Sequence, residues 1–359
     1  MSTGSDSAER AAAALLAGFA ENRRVVADLG PLPDPSPSEG PDPYGDPDPE
    51  WLRIDWREHL HTIKVLSASS QGALATGDPS EARIRPGADG SAEGTEVNYV
   101  EMGSGPGIDL VFVHGLSGCW QNWLENLPYF ARNHRVLAPD LPGFGASPMP
   151  PWEISIEAYG RLLHDFCRAA GVGDCAVIGN SMGGFISAEA ATTAPDRFAK
   201  LVLVSSAGAS HARMRREPIE ATGRMLAAAA PLLLKAQQRS ALRPKLRDAA
   251  FWMILDQPGE LPPELLWELL SGAGKEGFLP ALSACIGYDI LDRLEDVEVA
   301  TLIVWGLNDR LIPASDALEF GRRLSHSETV IFDRCGHVPM VERPVRFNRV
   351  LEAFLARET

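Results

Sequence analysis

Six short apolar runs recur from Leu110 onward, at Leu110–Val113, Val136–Ala138, Ala176–Ile178, Leu201–Val204, Leu302–Trp305 and Val330–Phe332, with helical patterns between them. A strand that is apolar at consecutive rather than alternate positions has both faces covered. Strand, helix and strand in repetition require crossover connections, and these join parallel neighbours. A parallel sheet layered by helices is therefore expected. The candidate covering helices are Trp120–Ala131, Ile156–Ala170, Met182–Thr193, Ser315–Leu324 and Val345–Arg357.

Upstream, Thr62–Leu66 and Glu96–Val100 read as an antiparallel pair, separated by a loop over Ser67–Gly94 that carries no periodicity. Between the fourth and fifth parallel runs, residues 209–298 hold helical patterns and no strand signal. That is too long for an ordinary connection, so it reads as an inserted helical lid. The expected division is a core over residues 51–208 and 299–359 with the lid at 209–298, preceded by an N-terminal helical extension over 1–30 and a linker over 31–50. The linker alternates proline with aspartate, serine and glycine, a composition expected not to pack. The helix before it, about Ala8–Leu29, reads as a local appendage, and residues 1–50 are expected to be dispensable for catalysis.

The formal charge of −15 argues against a nucleic-acid partner and for a soluble protein repelled by anionic membranes. The five cysteines show no C-x-x-C spacing, which points to neither a disulfide framework nor a zinc site and makes a reducing, cytoplasmic setting the expectation. The apolar run Ala11–Ala20 is too short to span a bilayer and follows an acidic segment, so it reads as helix rather than signal peptide.

At the end of one buried run stands Gly179-Asn180-Ser181-Met182-Gly183-Gly184, a G-x-S-x-G motif leading directly into a helical pattern. A turn that tight holds Ser181 at its apex in strained backbone geometry, and Gly179 and Gly183 let strand and helix approach. Without that context such a serine is usually a turn residue or helix N-cap. A serine hydroxyl needs a base to take its proton. Of the eight histidines, His337 alone combines a position after the last parallel run with the right chain order. His59, His61, His134, His164, His211 and His326 are expected on surface or lid segments. The imidazole needs a carboxylate to fix its tautomer, and Asp309, just beyond the penultimate run, suits that role. Asp316 is weaker because it falls within the next helix. Asp140 follows a strand in the wrong chain order and reads as a loop-ordering carboxylate.

Negative charge on the tetrahedral intermediate calls for fixed N–H donors. Met182, after the nucleophile, supplies one, and Leu116 in the His114-Gly115-Leu116 loop supplies the other, with His114 orienting that loop. No metal or cofactor is required.

Together the His114-Gly115 pair, the Asp140–Gly145 loop, the Ser181 elbow, the Asp309 loop and the Gly336-His337 pair resemble the α/β-hydrolase superfamily over about residues 95–356. The resemblance implies the α/β-hydrolase fold, a mostly parallel eight-stranded sheet with helices on both faces and an inserted lid. Haloalkane dehalogenases and epoxide hydrolases of that superfamily use aspartate at the elbow, so Ser181 disfavours both. Carboxylic-ester hydrolysis leads. The carbon–carbon hydrolases of aromatic catabolism share the Gly-Asn-Ser-Met-Gly-Gly and Cys-Gly-His strings and come second, although their tryptophan after the histidine is Val338 here. Cofactor-free haloperoxidase or perhydrolase chemistry and a non-enzymatic ligand receptor follow. The substrate is expected to be small to medium and largely apolar in its acyl part. Leu232, Leu233, Leu234, Trp252, Met253, Leu255 and Phe278 are candidates for its pocket or for the lid's own core. The run Arg213, Met214, Arg215, Arg216 reads as solvated charge.

Overall fold

A computed structural model of the chain describes residues 40–66, 94–213, 235–236, 239–241 and 243–357. The expected helix at 8–29, almost all of the 67–94 loop, the leucines at 232–234 and most of the basic run lie outside the described residues. Eight strands form one sheet: β1 (Leu60–Leu66), β2 (Gly94–Met102), β3 (Asp109–Val113), β4 (Val136–Pro139), β5 (Cys175–Asn180), β6 (Phe198–Val204), β7 (Thr301–Gly306) and β8 (Ser327–Phe332). Their order is β1-β2-β4-β3-β5-β6-β7-β8. β2 is antiparallel to both its neighbours. Every pairing from β4 across to β8 is parallel.

Side-chain alternation explains why the runs are apolar throughout. In β3, Val111 and Val113 enter one core while Leu110 and Phe112 enter the other. β6 divides in the same way, with Leu201 and Leu203 on one face and Val202 and Val204 on the opposite face. These central strands thus bury both faces, the requirement of a parallel sheet. The helices, numbered in chain order, are α1 (Leu127–Ala131), α2 (Ile156–Ala169), α3 (Met182–Thr193), α4 (Pro244–Phe251), α5 (Pro263–Leu269), α6 (Phe278–Cys285), α7 (Asp316–Arg323), α8 (Pro339–Glu342) and α9 (Pro344–Leu355). Apolar residues of α2, α3 and α7 pack on the first face, and those of α1 and α9 on the second. α2 starts where the Ser155 hydroxyl caps the Ala158 N–H. Among the described residues, 209–298 hold helices, 3-10 turns and loops but no strand, and α4 to α6 lie within them.

Two expectations need correction. Trp120–Ala131 is not one helix but a 3-10 turn at Trp120–Trp123 followed by the short α1. Pro128 lacks an N–H and its ring clashes with the preceding turn, so an α-helix can begin only around it. The supposed linker also packs in its second half. Asp42 pairs with Arg343, both side chains being buried. Just past the linker, at the first residue of the core, Trp51 is buried and donates from Nε1 to Glu125 at 3.0 Å. A proline-fixed extended segment loses little entropy on docking, so a few anchoring side chains hold it.

β3 leads to β4 on one side while β5 leads to β6 on the other. At such a reversal of strand order the loops diverge and leave a crevice at the carboxyl edge of the sheet. Among the described residues no helix is long and apolar enough to cross a membrane.

Candidate active site

The turn between β5 and α3 places Ser181 at φ 55°, ψ −117°. A side chain in the left-handed region is strained, and the contacts around it must hold it there. The Ser181 N–H donates to the Val204 carbonyl at 2.9 Å, and its own carbonyl accepts from Phe185 and Ala207 at 3.1 and 3.0 Å. A Cβ on Gly179 would lie 2.3 Å from the Gly183 carbonyl oxygen, and one on Gly183 would lie 2.2 Å from that of Val113. Glycine is required at both because backbones meet there.

His337 sits between β8 and α8, and its Nδ1 lies 2.8 Å from Asp309 Oδ2. A carboxylate oxygen accepts, so in the neutral imidazole the proton sits on Nδ1 and Nε2 keeps its lone pair. The other carboxylate oxygen of Asp309 accepts from the Leu311 and Ile312 N–H groups at 2.8 and 2.9 Å, which fixes its rotation. Both side chains are nearly removed from solvent. A Cβ on Gly306, at the end of β7, would lie 1.9 Å from the Gly336 carbonyl oxygen, so this glycine lets the two loops touch.

Ser181 and His337 line one cavity of about 360 Å³. Leu116 and Met182 line it as well. Met182 opens α3, so its N–H has no intrahelical acceptor. The loop bearing Leu116 is held through His114, whose Nε2 accepts from the Leu141 N–H at 2.9 Å while Nδ1 donates to the Gly115 carbonyl at 2.8 Å. Burial lowers the His114 pKa and so favours that neutral form. Gly115 does not have positive φ. It is small because a Cβ there would come within 3.1 Å of the Ser181 Cβ.

Asp140 lies away from the cavity lining and accepts from Asn98, Trp120 and Ala146, which orders its loop. Asp316 is fully buried and takes the Ser210 N–H at 2.8 Å. Of the pocket candidates, Met253, Leu255 and Phe278 line the cavity. Trp252 does not: it is 44% exposed, and the expectation that it faces substrate is corrected. It follows the last residue of α4, one position before Met253, and neighbouring residues at a helix end point in different directions.

Two residues escaped the sequence reading. His211, expected on a surface or lid segment with no part in the site, is buried and lines the same cavity as His337. Burial and the nearby His337 push its pKa down to about 4, so it is neutral at physiological pH. Nothing in its local pattern signals this, because its position depends on how the chain leaves β6. Asn180, inside the elbow motif, donates from Nδ2 to the Val204 carbonyl at 3.1 Å and to that of His337 at 3.3 Å, tying the two loops together. Among the described residues no group of three or more histidine, cysteine or carboxylate side chains is placed to hold a metal ion.

The family model for the alpha/beta hydrolase family matches residues 110–350. A 2-hydroxy-6-oxononadienedioate/2-hydroxy-6-oxononatrienedioate hydrolase of Burkholderia vietnamiensis is 27% identical over 303 residues, covering 82% of this chain and 98% of that protein. The dihydrolipoyllysine-residue acetyltransferase component of an acetoin cleaving system from Pseudomonas putida is 29% identical over 271 residues, covering 74% and 68%. Among solved structures, a membrane phospholipase A described as a bacterial virulence factor superposes with a TM-score of 0.57 at 28% identity, covering 73% of this chain and 82% of that one. With the sheet, the elbow and the match all in the same order along the chain, the protein belongs to the α/β hydrolase family and is a hydrolase.

Proposed function

We propose that the protein hydrolyses carboxylic esters through an acyl-enzyme on Ser181. The observation that carries this reading is the cavity: away from the polar spot formed by Asn180, Ser181, His211 and His337, its walls are mostly Leu, Ile, Phe and Met side chains. Such walls suit an uncharged, largely apolar acyl group of small to medium size. In this mechanism Ser181 Oγ attacks the ester carbonyl as His337 Nε2 takes its proton, and Asp309 steadies the imidazolium that results. The Leu116 and Met182 N–H groups receive the oxyanion. His337 then returns the proton to the leaving alcohol. In the second half a water gives its proton to His337, attacks the acyl carbon, and frees the acid and Ser181. Residues 209–298 serve as the lid over this cavity.

The experiment is hydrolysis of short p-nitrophenyl esters by the Ser181→Ala variant. A fall of about 10³-fold or more with folding retained is expected. Undiminished turnover overturns the assignment of the nucleophile.

A second reading, carbon–carbon hydrolysis of vinylogous diketone acids, is favoured by relatives named as 2-hydroxy-6-oxo-dienoate hydrolases, at 27–29% identity. Such a substrate carries a carboxylate, and among the described residues no Arg or Lys side chain lines the cavity to meet it. A parallel screen of simple esters and vinylogous diketone acids separates the two. Activity on the acids alone reverses the order.

A further inference from the structure

The backbone on either side of His337 is held by Glu342, a few residues along, and by a network that reaches two distant parts of the chain. Glu342 Oε1 accepts from the Gly336 N–H at 2.9 Å and from the Val338 N–H at 3.3 Å, which brackets the histidine. The His337 N–H itself donates to the Ile254 carbonyl at 2.8 Å. Glu342 Oε2 takes the Asp256 N–H at 2.7 Å and the Tyr44 hydroxyl at 2.5 Å. That hydroxyl in turn accepts from the Gln257 N–H at 2.8 Å. Tyr44 thus joins the carboxylate behind His337 to the inserted segment at residues 254–257. Its own place is set by the Gly45 N–H, which donates to the Glu342 carbonyl at 2.7 Å, and by the Asp42–Arg343 pair.

We propose that Tyr44 is a positioning residue for His337, acting through Glu342, so that residues 40–45 belong to the hydrolytic machinery rather than to a tether. Three consecutive N–H groups, at 336, 337 and 338, are fixed by acceptors whose positions depend on one another. Removing the hydroxyl takes a donor from Glu342 and an acceptor from Gln257 together. The carboxylate is then held by fewer partners, and residues 254–257 lose one of the contacts that hold the Ile254 carbonyl against the His337 N–H. A small displacement of a catalytic base lowers the rate steeply, because proton transfer depends on its alignment with the nucleophile. Of the cavity walls, Ile254, Leu255 and Val338 belong to these segments and most of the other lining residues do not, so substrate binding is expected to change less than proton transfer. The expected signature is a loss in kcat with KM preserved.

The inference rests on the Ser181 and His337 roles proposed above. The test compares full-length wild type, Tyr44→Phe, Asp42→Asn and Ser181→Ala on p-nitrophenyl esters, with fluorophosphonate labelling of Ser181 and thermal melting in parallel. Tyr44→Phe keeps the ring and should lower kcat and the labelling rate by about tenfold, with KM within about twofold. Asp42→Asn loosens the segment without touching Glu342 and should give a smaller fall of the same kind, which decides the matter if Tyr44→Phe does not fold. A purely structural role would lower the melting temperature and leave kcat of the folded protein unchanged, and that result overturns the proposal. Turnover that survives Ser181→Ala would instead overturn the functional reading and this inference with it.

Discussion

Around Ser181 the geometry is set by close backbone packing within the motif and against the adjoining strands, whereas around His337 it is set by hydrogen bonds from Glu342 nearby and from segments far away in the chain. The elbow rests on Gly179, Gly183 and carbonyls of β3 and β6. The histidine loop rests on Glu342, Ile254, Asp256, Asn180 and, through Glu342, Tyr44. Both regions are buried. They differ in what a substitution removes. At the elbow it creates a clash between backbones that have no room to part. At the histidine loop it removes one hydrogen bond from a set, and the chain survives with poorer alignment.

The sharpest way to break this contrast is at its two glycines. Gly183→Ala forces a Cβ to within 2.2 Å of the Val113 oxygen and 2.5 Å of the His114 oxygen, both backbone atoms of the central crevice. Destabilisation of about 3 kcal/mol or more, with activity lost, is expected in urea melts. A stable, active Gly183→Ala protein would show that the elbow is more pliant than its contacts imply. Gly306→Ala makes a closer clash, with a Cβ 1.9 Å from the Gly336 oxygen, but that peptide lies in the loop before His337 rather than at the end of a central strand, so the histidine loop is expected to shift. About a hundredfold fall in kcat at a cost of about 1–3 kcal/mol is expected. Equal losses of stability in the two variants would erase the distinction.

The smallest effect is expected farther along the N-terminal segment. Burial raises the Glu125 carboxyl to about 7, against the hydrogen bond from Trp51. Because its folded pKa lies above the unfolded value, this group favours the folded state at low pH, and that contribution is lost as pH rises from about 4.5 through about 7. Glu125→Gln cannot titrate. Its stability relative to wild type should therefore rise between pH 5 and pH 8, with kcat unchanged, as followed by urea melts at the two values. A stability difference that does not change with pH would mean that Glu125 is ionised in both states.

Much of the fold was legible because its signals are local. Each parallel strand is an apolar run that both cores demand, and α3 begins and ends at Met182 and Thr193, as its small-residue pattern implied. The break before α1 is legible at Pro128, and an expectation built on the apolar helical pattern alone passes over it. The docked half of the linker was misread because composition reports how much apolar surface a segment can bury. It is silent on buried polar partners elsewhere, such as Arg343 for Asp42. Asn180 was in plain view inside the motif, yet its bond to the His337 carbonyl links residues 157 positions apart.

The sequence by itself determined the sheet, the elbow and the identities of Ser181, Asp309 and His337 as candidates, since backbone strain, strand burial and chain order are properties of contiguous residues. Only the tertiary structure decided that His211 faces the cavity, that Trp252 does not, and that Tyr44 reaches Glu342. These depend on where separate segments come to lie against one another. Hydrogen bonds and burial across such distances leave no periodicity in the chain for a reader to find.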